Sequence, residues 1–206
     1  MFTINLPSRP LLALREIAAK KDIRQYLLGV GLEVGPEGAF LSASNGHVMG
    51  VARLPEWPAN VQAKFVIPRS MLDRLKPSEA AVTLTARRAP LDGVDCWRLE
   101  LAMPGMALSD WAAAEMAADW RRVTPKGVSG VAGQFHQDVL SILIRASKAL
   151  HGRSHPPMTI GHNGPGNAAL IGFGDPDFFG VAMPMNAEMP DAPPAWIDSR
   201  PAAIAA

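Results

Sequence analysis

Apolar and polar positions alternate along Phe2-Thr3-Ile4-Asn5-Leu6 up to Pro7, which predicts a short half-buried strand. From Leu11 to Lys21 the period changes: Leu11, Leu14, Ile17 and Ala18 recur at helical spacing, while Arg15, Glu16, Lys20 and Lys21 lie on other faces. Strand-like runs follow over Gln25–Val34 and Ala39–Leu54, the second bent at the turn dipeptide Asn45-Gly46. After the loop Pro55–Asn60 the order repeats: Lys64–Pro68 reads as a strand, Ser70–Leu75 as a brief helix, Ala81–Thr85 and Cys96–Leu101 as strands. It repeats again beyond the segment Trp111–Pro125, with Gly130–Phe135 as a strand, Gln137–Leu150 as a helix, and Met158–His162, Ala168–Phe173 and Phe178–Pro184 as strands. The repeat lies in the pattern and not in the letters.

The pattern predicts an α+β chain of repeated β-α-β-β-β units with antiparallel sheets. Residues 1–110 hold two units, 111–125 form a crossing segment, 126–186 hold a third unit, and 187–206 form a Pro-, Ala- and Asp-rich tail too poor in apolar periodicity to bury a core. Trp196 and Ile197 are candidate apolar anchors in that tail. In the third helix Val139, Ile142, Leu143, Ala146 and Leu150 share a core side, and Ser141, Arg145 and Lys148 share an exposed one.

A single cysteine, Cys96, rules out an internal disulfide and a multi-thiolate zinc site. The apolar run Leu11–Leu14 is too brief for a signal peptide or a membrane span, so a soluble protein of a reducing cytoplasm is expected. A net charge of +1 means that any surface for nucleic acid must be local.

Four histidines, His136, His151, His155 and His162, crowd the third unit, but at a helix start, a helix end and in loops, with no HExxH pair or cysteine partner, so no metal or other cofactor is expected. Ser141 or Ser154 beside a histidine could make a small hydrolase only with a nucleophile elbow, which the sequence lacks. The run Asn163-Gly164-Pro165-Gly166-Asn167 has no Gly-Lys-Ser/Thr ending and reads as a wide hairpin loop rather than a phosphate cradle. Trp57, Trp97, Trp111 and Trp120 lack the regular strand spacing of a base-stacking platform and read as packing residues.

Several stretches carry a resemblance in letters. Phe65-Val66-Ile67-Pro68-Arg69 followed by Met71-Leu72-Asp73-Arg74-Leu75-Lys76, the turn Ala43-Ser44-Asn45-Gly46-His47, the crossing Asp119-Trp120-Arg121-Arg122-Val123-Thr124-Pro125 and the ending Gly180-Val181-Ala182-Met183-Pro184-Met185 resemble, in the same order, segments of the bacterial DNA polymerase III beta subunit, the DNA sliding clamp. The resemblance runs over residues 1–186 and departs from the family in size. A beta subunit has three domains of two units each, whereas this chain has one such domain and a single further unit. Rings of the family contain twelve units, so four copies of this chain would supply them; monomer and dimer stay open.

The resemblance implies a non-catalytic processivity or tethering protein in DNA replication, a homo-oligomer contacting double-stranded DNA without reading sequence. It implies DNA contact through Arg15, Lys20, Lys21 and Arg24 at the first helix, Arg69, Arg74 and Lys76 at the second, and Arg145, Lys148 and Arg153 at the third. It also implies an outer groove for polymerase or clamp-loader peptides, at Val123, Pro125, Val181, Met183, Pro184 and Met185. The competing readings are solvated helix faces for the cations, a core strand for the methionines, and a clamp-fold interaction module that does not encircle DNA.

Overall fold

A computed structural model describes residues 1–77 and 80–187, so most of the predicted tail, with Trp196 and Ile197, lies outside the described residues. The first unit is β1 (Phe2–Pro7), α1 (Ser8–Ile17), β2 (Gly29–Gly35), β3 (Gly38–Ser44) and β4 (Val48–Leu54). The second is β5 (Ala63–Pro68), the one-turn α2 (Arg69–Leu72), β6 (Ala81–Leu91), β7 (Val94–Met103) and β8 (Met106–Ala113). A further turn of helix, α3 (Trp120–Val123), precedes α4 (Gln137–His151), β9 (Thr159–Gly161), β10 (Ala169–Asp175) and β11 (Phe178–Ala182).

The first two units exchange their leading strands. β1 pairs antiparallel with β6, giving the sheet order β1-β6-β7-β8, and β5 pairs antiparallel with β2. The second sheet, β5-β2-β3-β4-β11-β10-β9, runs on into the third unit through β4 and β11, where Met49 faces Val181. Where the exchanged strands meet, Phe2, Phe65 and Trp97 form a ring cluster with centroids 5.4–6.4 Å apart.

Helix α1 starts directly at the proline that ends β1, and Pro10 occupies its first turn, where a missing N–H costs no intrahelical bond. Its buried positions include Leu11, Leu12, Ala13, Leu14 and Ile17, because it lies between the seven-stranded sheet and α4. The helix ends four residues before the predicted Lys21: Ala18 turns extended, at ψ 141°, and the Ala19 N–H donates to the Leu27 carbonyl at 2.9 Å. Helix α4 runs antiparallel to α1, since Arg9 reaches the His151 carbonyl at 2.7 Å while Arg145 reaches Glu16 at 3.3 Å. Of its predicted core side Val139, Leu143, Ala146 and Leu150 are buried, Ile142 packs against the core partly buried, and Ser147 is added.

Three expectations about strands change. Met106–Ala113 forms β8, so the predicted crossing segment begins three residues inside a strand. β6 and β7 extend to an Asp92-Gly93 turn whose two residues have φ of 50° and 80°. Gly130–Phe135 forms no strand; its one bridge joins Gln134 to Met185. Both complete leading strands among the described residues lie in another unit's sheet.

Candidate partner groove and helix face

Alternation along β4 divides the molecule into two faces. A Cβ on Gly50 would stand 2.6 Å from Ile17 Cδ1 and 2.9 Å from Leu14 Cδ2, so position 50 points at α1. Its neighbours Met49 and Val51 therefore point the other way, where with Val181 they form a second buried cluster that Ala118, Trp120, Ala168 and Phe179 pack against. A side chain at position 50 would force the ends of Leu14 and Ile17 to shift, because α1 seats closely on this sheet.

The outer cluster floors a cleft of about 480 Å³. Trp120 fixes one wall: its ring lies 5.2 Å from Phe40 and 6.1 Å from Phe179, with Arg121 stacked 4.2 Å above it. The Asp119 carboxylate accepts from the Arg122 N–H at 3.4 Å and starts the α3 turn, which brings Asp119, Arg122 and Val123 to the cleft. The opposite wall is the Asn45-Gly46 turn. Asn45 Oδ1 accepts from the N–H groups of His47 and Val48 at 2.9 and 2.8 Å, and the Met183 N–H donates to the His47 carbonyl at 2.8 Å. Val123 and Met183 remain 43% and 44% exposed, so the cleft is an open apolar surface rather than a filled core.

The rim is basic. Arg24 donates to both carboxylate oxygens of Asp22 at 2.9 Å, and its Nη2 comes within 3.0 Å of where a Cβ on Gly46 would lie. That hydrogen bonding holds the Asp22 carboxyl down at about 2, below its ordinary 3.8. Arg24 thus lines the cleft.

Of the six predicted groove residues, Val123, Val181 and Met183 meet in the cleft. Pro125, Pro184 and Met185 do not line it: Pro184 packs near Gly133, and the Met185 N–H donates to the Gln134 carbonyl at 2.7 Å. Tyr26, Leu27, His47, Met49, Asp119 and Arg122 line it without having been singled out. Gly46-His47 and Arg121-Arg122 lay inside the stretches that carry the family resemblance, and that was the available signal.

The predicted DNA-facing cations separate into two groups. Lys20 and Lys21 are exposed just beyond α1, Arg74 and Lys76 just beyond α2, Lys148 on α4 and Arg153 just beyond it. Arg15 is half-buried and pairs with Glu16 at 3.2 Å; Arg145, from α4, reaches the other oxygen of the same carboxylate, so Glu16 bridges the two arginines across the helix pair. Arg69 is engaged by backbone carbonyls. Its Nη1 donates to the carbonyls of Arg15 and Ala18 at 2.7 and 3.0 Å, its Nε lies 3.6 Å from Asp73, and its side chain is only 18% exposed. It caps the C-terminal end of α1, where a cation is favoured by the helix dipole.

The histidines have local tasks. His136 Nδ1 accepts from the Asp138 N–H at 3.2 Å and caps α4, His151 Nε2 lies 2.6 Å from the Phe173 carbonyl, and His162 Nδ1 accepts from the Gly133 N–H at 3.2 Å. Ser154 and His155 are neighbours in an exposed loop, 3.0 Å apart. Among the described residues no three His, Cys, Asp or Glu side chains are placed to hold a metal ion, and no helix is long and apolar enough to cross a membrane.

No family model and no curated protein matches the sequence. Solved structures do match. The DNA polymerase III subunit beta of Pseudomonas aeruginosa superposes with a TM-score of 0.66 at 14% identity, over 91% of this chain and 67% of that one. The Borrelia burgdorferi subunit beta, solved in complex with a natural product, gives 0.66 at 12% identity over 91% and 64%, and the Thermotoga maritima beta subunit 0.60 at 13% over 92% and 66%. This chain spans about two-thirds of the length of these clamps, and the exchanged leading strands, the paired helices and the continuous outer sheet are those of one architecture: it has the fold of the DNA polymerase III beta sliding clamps.

Proposed function

We propose that this chain is a non-catalytic, clamp-like tether of the cytoplasm that associates, as a homo-oligomer, with double-stranded DNA through its helix layer and offers the opposite face to a replication partner. The observation that carries the proposal is the two-sidedness of β4, with α1 packed against Gly50 on one side and the open cleft built over Met49 and Val181 on the other. Lys20, Lys21, Arg74, Lys76, Lys148 and Arg153, with Arg145 where Glu16 releases it, are the cations proposed to attract phosphates. The cleft fits a peptide with apolar anchors over Val181 and Met183 and an acidic flank toward Arg24 and Arg122.

Retention on nicked circular DNA tests the first half: loss of the retained protein when the circle is linearised supports encirclement, and equal retention on both forms overturns it. Val123→Asp with Met183→Glu tests the second half, because both side chains are exposed and the fold should survive. If a fluorescent peptide of apolar residues flanked by Asp binds the double variant as well as the native chain, the cleft is not the partner site.

A second reading has its own observation. Glu16 neutralises Arg15 and Arg145, and Arg24 and Arg69 are held elsewhere, which leaves the helix face less basic than the residue types suggest. A clamp-fold interaction module that does not encircle DNA would bind peptide at the cleft and show no dependence on DNA topology.

A further inference from the structure

The cleft over β4 and β11 has a buried floor and an uncovered lip. Val48, Met49 and Val181 are at most 7% exposed, whereas Tyr26, Val123 and Met183, which line the same cleft, are 36%, 43% and 44% exposed. Half-wet aromatic and apolar side chains around a dry floor suit an inserted aromatic or branched anchor. On the rim, the side chain of Arg122 is joined to no carboxylate among the described residues, so an acidic group beside the anchor would meet an unpaired cation.

The chain itself carries such an anchor. Trp196 and Ile197 are adjacent in the segment beyond the described residues, Asp198 follows them directly, Glu188 and Asp191 precede them, and no lysine or arginine falls between 188 and 198. Met189 and Ile204, the other large apolar residues of that segment, each lack a second one beside them. The segment also begins beside the cleft. Met183 lines it, Ala187 stands four residues on and Trp196 nine further. Four residues span at most roughly 14 Å and nine up to roughly 30 Å, so Trp196 can return to the cleft from wherever Ala187 leaves it.

We propose that Trp196-Ile197, with Asp198 toward Arg122, occupies this cleft in cis, so that a partner peptide must displace the chain's own segment. The inference rests on the reading of the cleft as a peptide site and adds its regulation. The neighbouring depressions fit less well. The one over β9 and β10, about 470 Å³, has no cation in its lining, and in the one between Phe40, Trp120 and Phe179, about 270 Å³, Arg53 is already paired with Asp177 at 2.6 Å. The one between β5 and β8 lies four strands from β11 in the sheet order.

A tether of this length gives a local concentration on the order of 1 mM. A segment with a Kd of about 0.1 mM in trans would then leave about one cleft in ten open and weaken a competing peptide about tenfold.

Methyl NMR of the full chain with a nitroxide on Ser199→Cys tests the occupancy without any partner peptide; Cys96 is buried, so the label goes to position 199. Expected is broadening of the Met49 and Met183 methyl signals but not of Met103 and Met106, on the other sheet, and its loss when Trp196→Ser and Ile197→Ser are added. Absent or uniform broadening, or broadening that persists in the double variant, overturns the proposal. So does broadening that grows with protein concentration, which puts a second copy's segment in the cleft. The fluorescent peptide of apolar residues flanked by Asp supplies the second arm: it should bind the Trp196→Ser, Ile197→Ser chain about tenfold more tightly than the native one, and equal affinity for both overturns the proposal. A peptide that binds neither chain, with the broadening in place, sinks the partner site and leaves the occupancy standing.

Discussion

Arg69 separates a structural role from a DNA-binding one. Replacing it with methionine keeps the aliphatic stem and removes two charge-assisted hydrogen bonds, to the carbonyls of Arg15 and Ala18. Hydrogen bonds to charged groups contribute roughly 1.5–3 kcal/mol each, and a cation at a helix C-terminus adds about 0.3–1 kcal/mol. Water can reach the vacated carbonyls in part, since the side chain is 18% exposed and borders a cleft of about 430 Å³, which pulls the sum toward its lower end. The Asp73 contact, at 3.6 Å to a carboxylate that is 53% exposed, adds little. Arg69→Met should therefore cost about 3–4 kcal/mol in urea unfolding, or roughly 6–16 °C in Tm for a chain of this size. The salt dependence of DNA association should stay unchanged, because this guanidinium meets no phosphate. A variant of native stability whose salt slope falls by about one would refute the cap and restore Arg69 to the DNA-facing set.

Glu16→Gln should act in the opposite sense. Releasing Arg15 and Arg145 from one carboxylate is expected to tighten DNA association and steepen log K against log salt by roughly 0.9 per new phosphate contact, and an unchanged slope would show that this stretch of the helix pair does not face DNA. Asp22 sets a pH limit on the groove rim. Its carboxyl is depressed, so its pairing with Arg24 is fully present above the ordinary 3.8 and is lost only as pH falls through about 2. The side-chain carboxyl carbon followed by NMR should titrate near 2, and a midpoint near 3.8 would mean that Arg24 is not held over Gly46. Gly29→Ala tests the exchanged strands: a Cβ there would stand 2.1 Å from the Ile67 carbonyl oxygen, forcing β5 away from β2. The expected cost is about 3 kcal/mol or more in chemical unfolding, and a change below about 0.5 kcal/mol, the range of an ordinary surface substitution, would contradict the pairing.

Periodicity carried the long elements. The 14-residue prediction for α4 is short by one residue because its five core positions repeat without interruption, and the Asn45-Gly46 turn located the β3–β4 hairpin. What failed depended on neighbours that local pattern does not contain. Ala18 and Ala19 continue the helical spacing of α1, yet the backbone leaves the helix there to bond Leu27. Gly130–Phe135 has the composition of a strand, yet among the described residues it makes a single bridge, from Gln134 to Met185. The same division applies to the site. Val123, Val181 and Met183 lay in stretches that resemble clamp segments, whereas the partners that engage Arg69 are carbonyls 54 and 51 residues away in sequence. Residue type announces a cation, but only the fold shows what has already claimed it.

Strand β4 explains why helix layer and groove belong to one device. Every residue of Val48–Leu54 except Arg53 is buried, so both faces of the strand are covered. On the inward face Gly50 leaves room for the ends of Leu14 and Ile17 of α1, and the outward face supplies Met49 to the cleft one residue earlier. Its far edge carries β11, whose Val181 stands opposite Met49 and whose continuation presents Met183. A displacement of α1 outward against the sheet would press on Leu14, Ile17 and Gly50 and must be accommodated by the strand that floors the groove, since close-packed interiors transmit strain rather than absorb it. Enlarging residue 50 therefore perturbs the groove from the opposite side of the sheet: Gly50→Ala should weaken peptide binding at the cleft although no atom of residue 50 lines it. Unchanged peptide affinity in a folded Gly50→Ala protein would show that the two faces are mechanically independent.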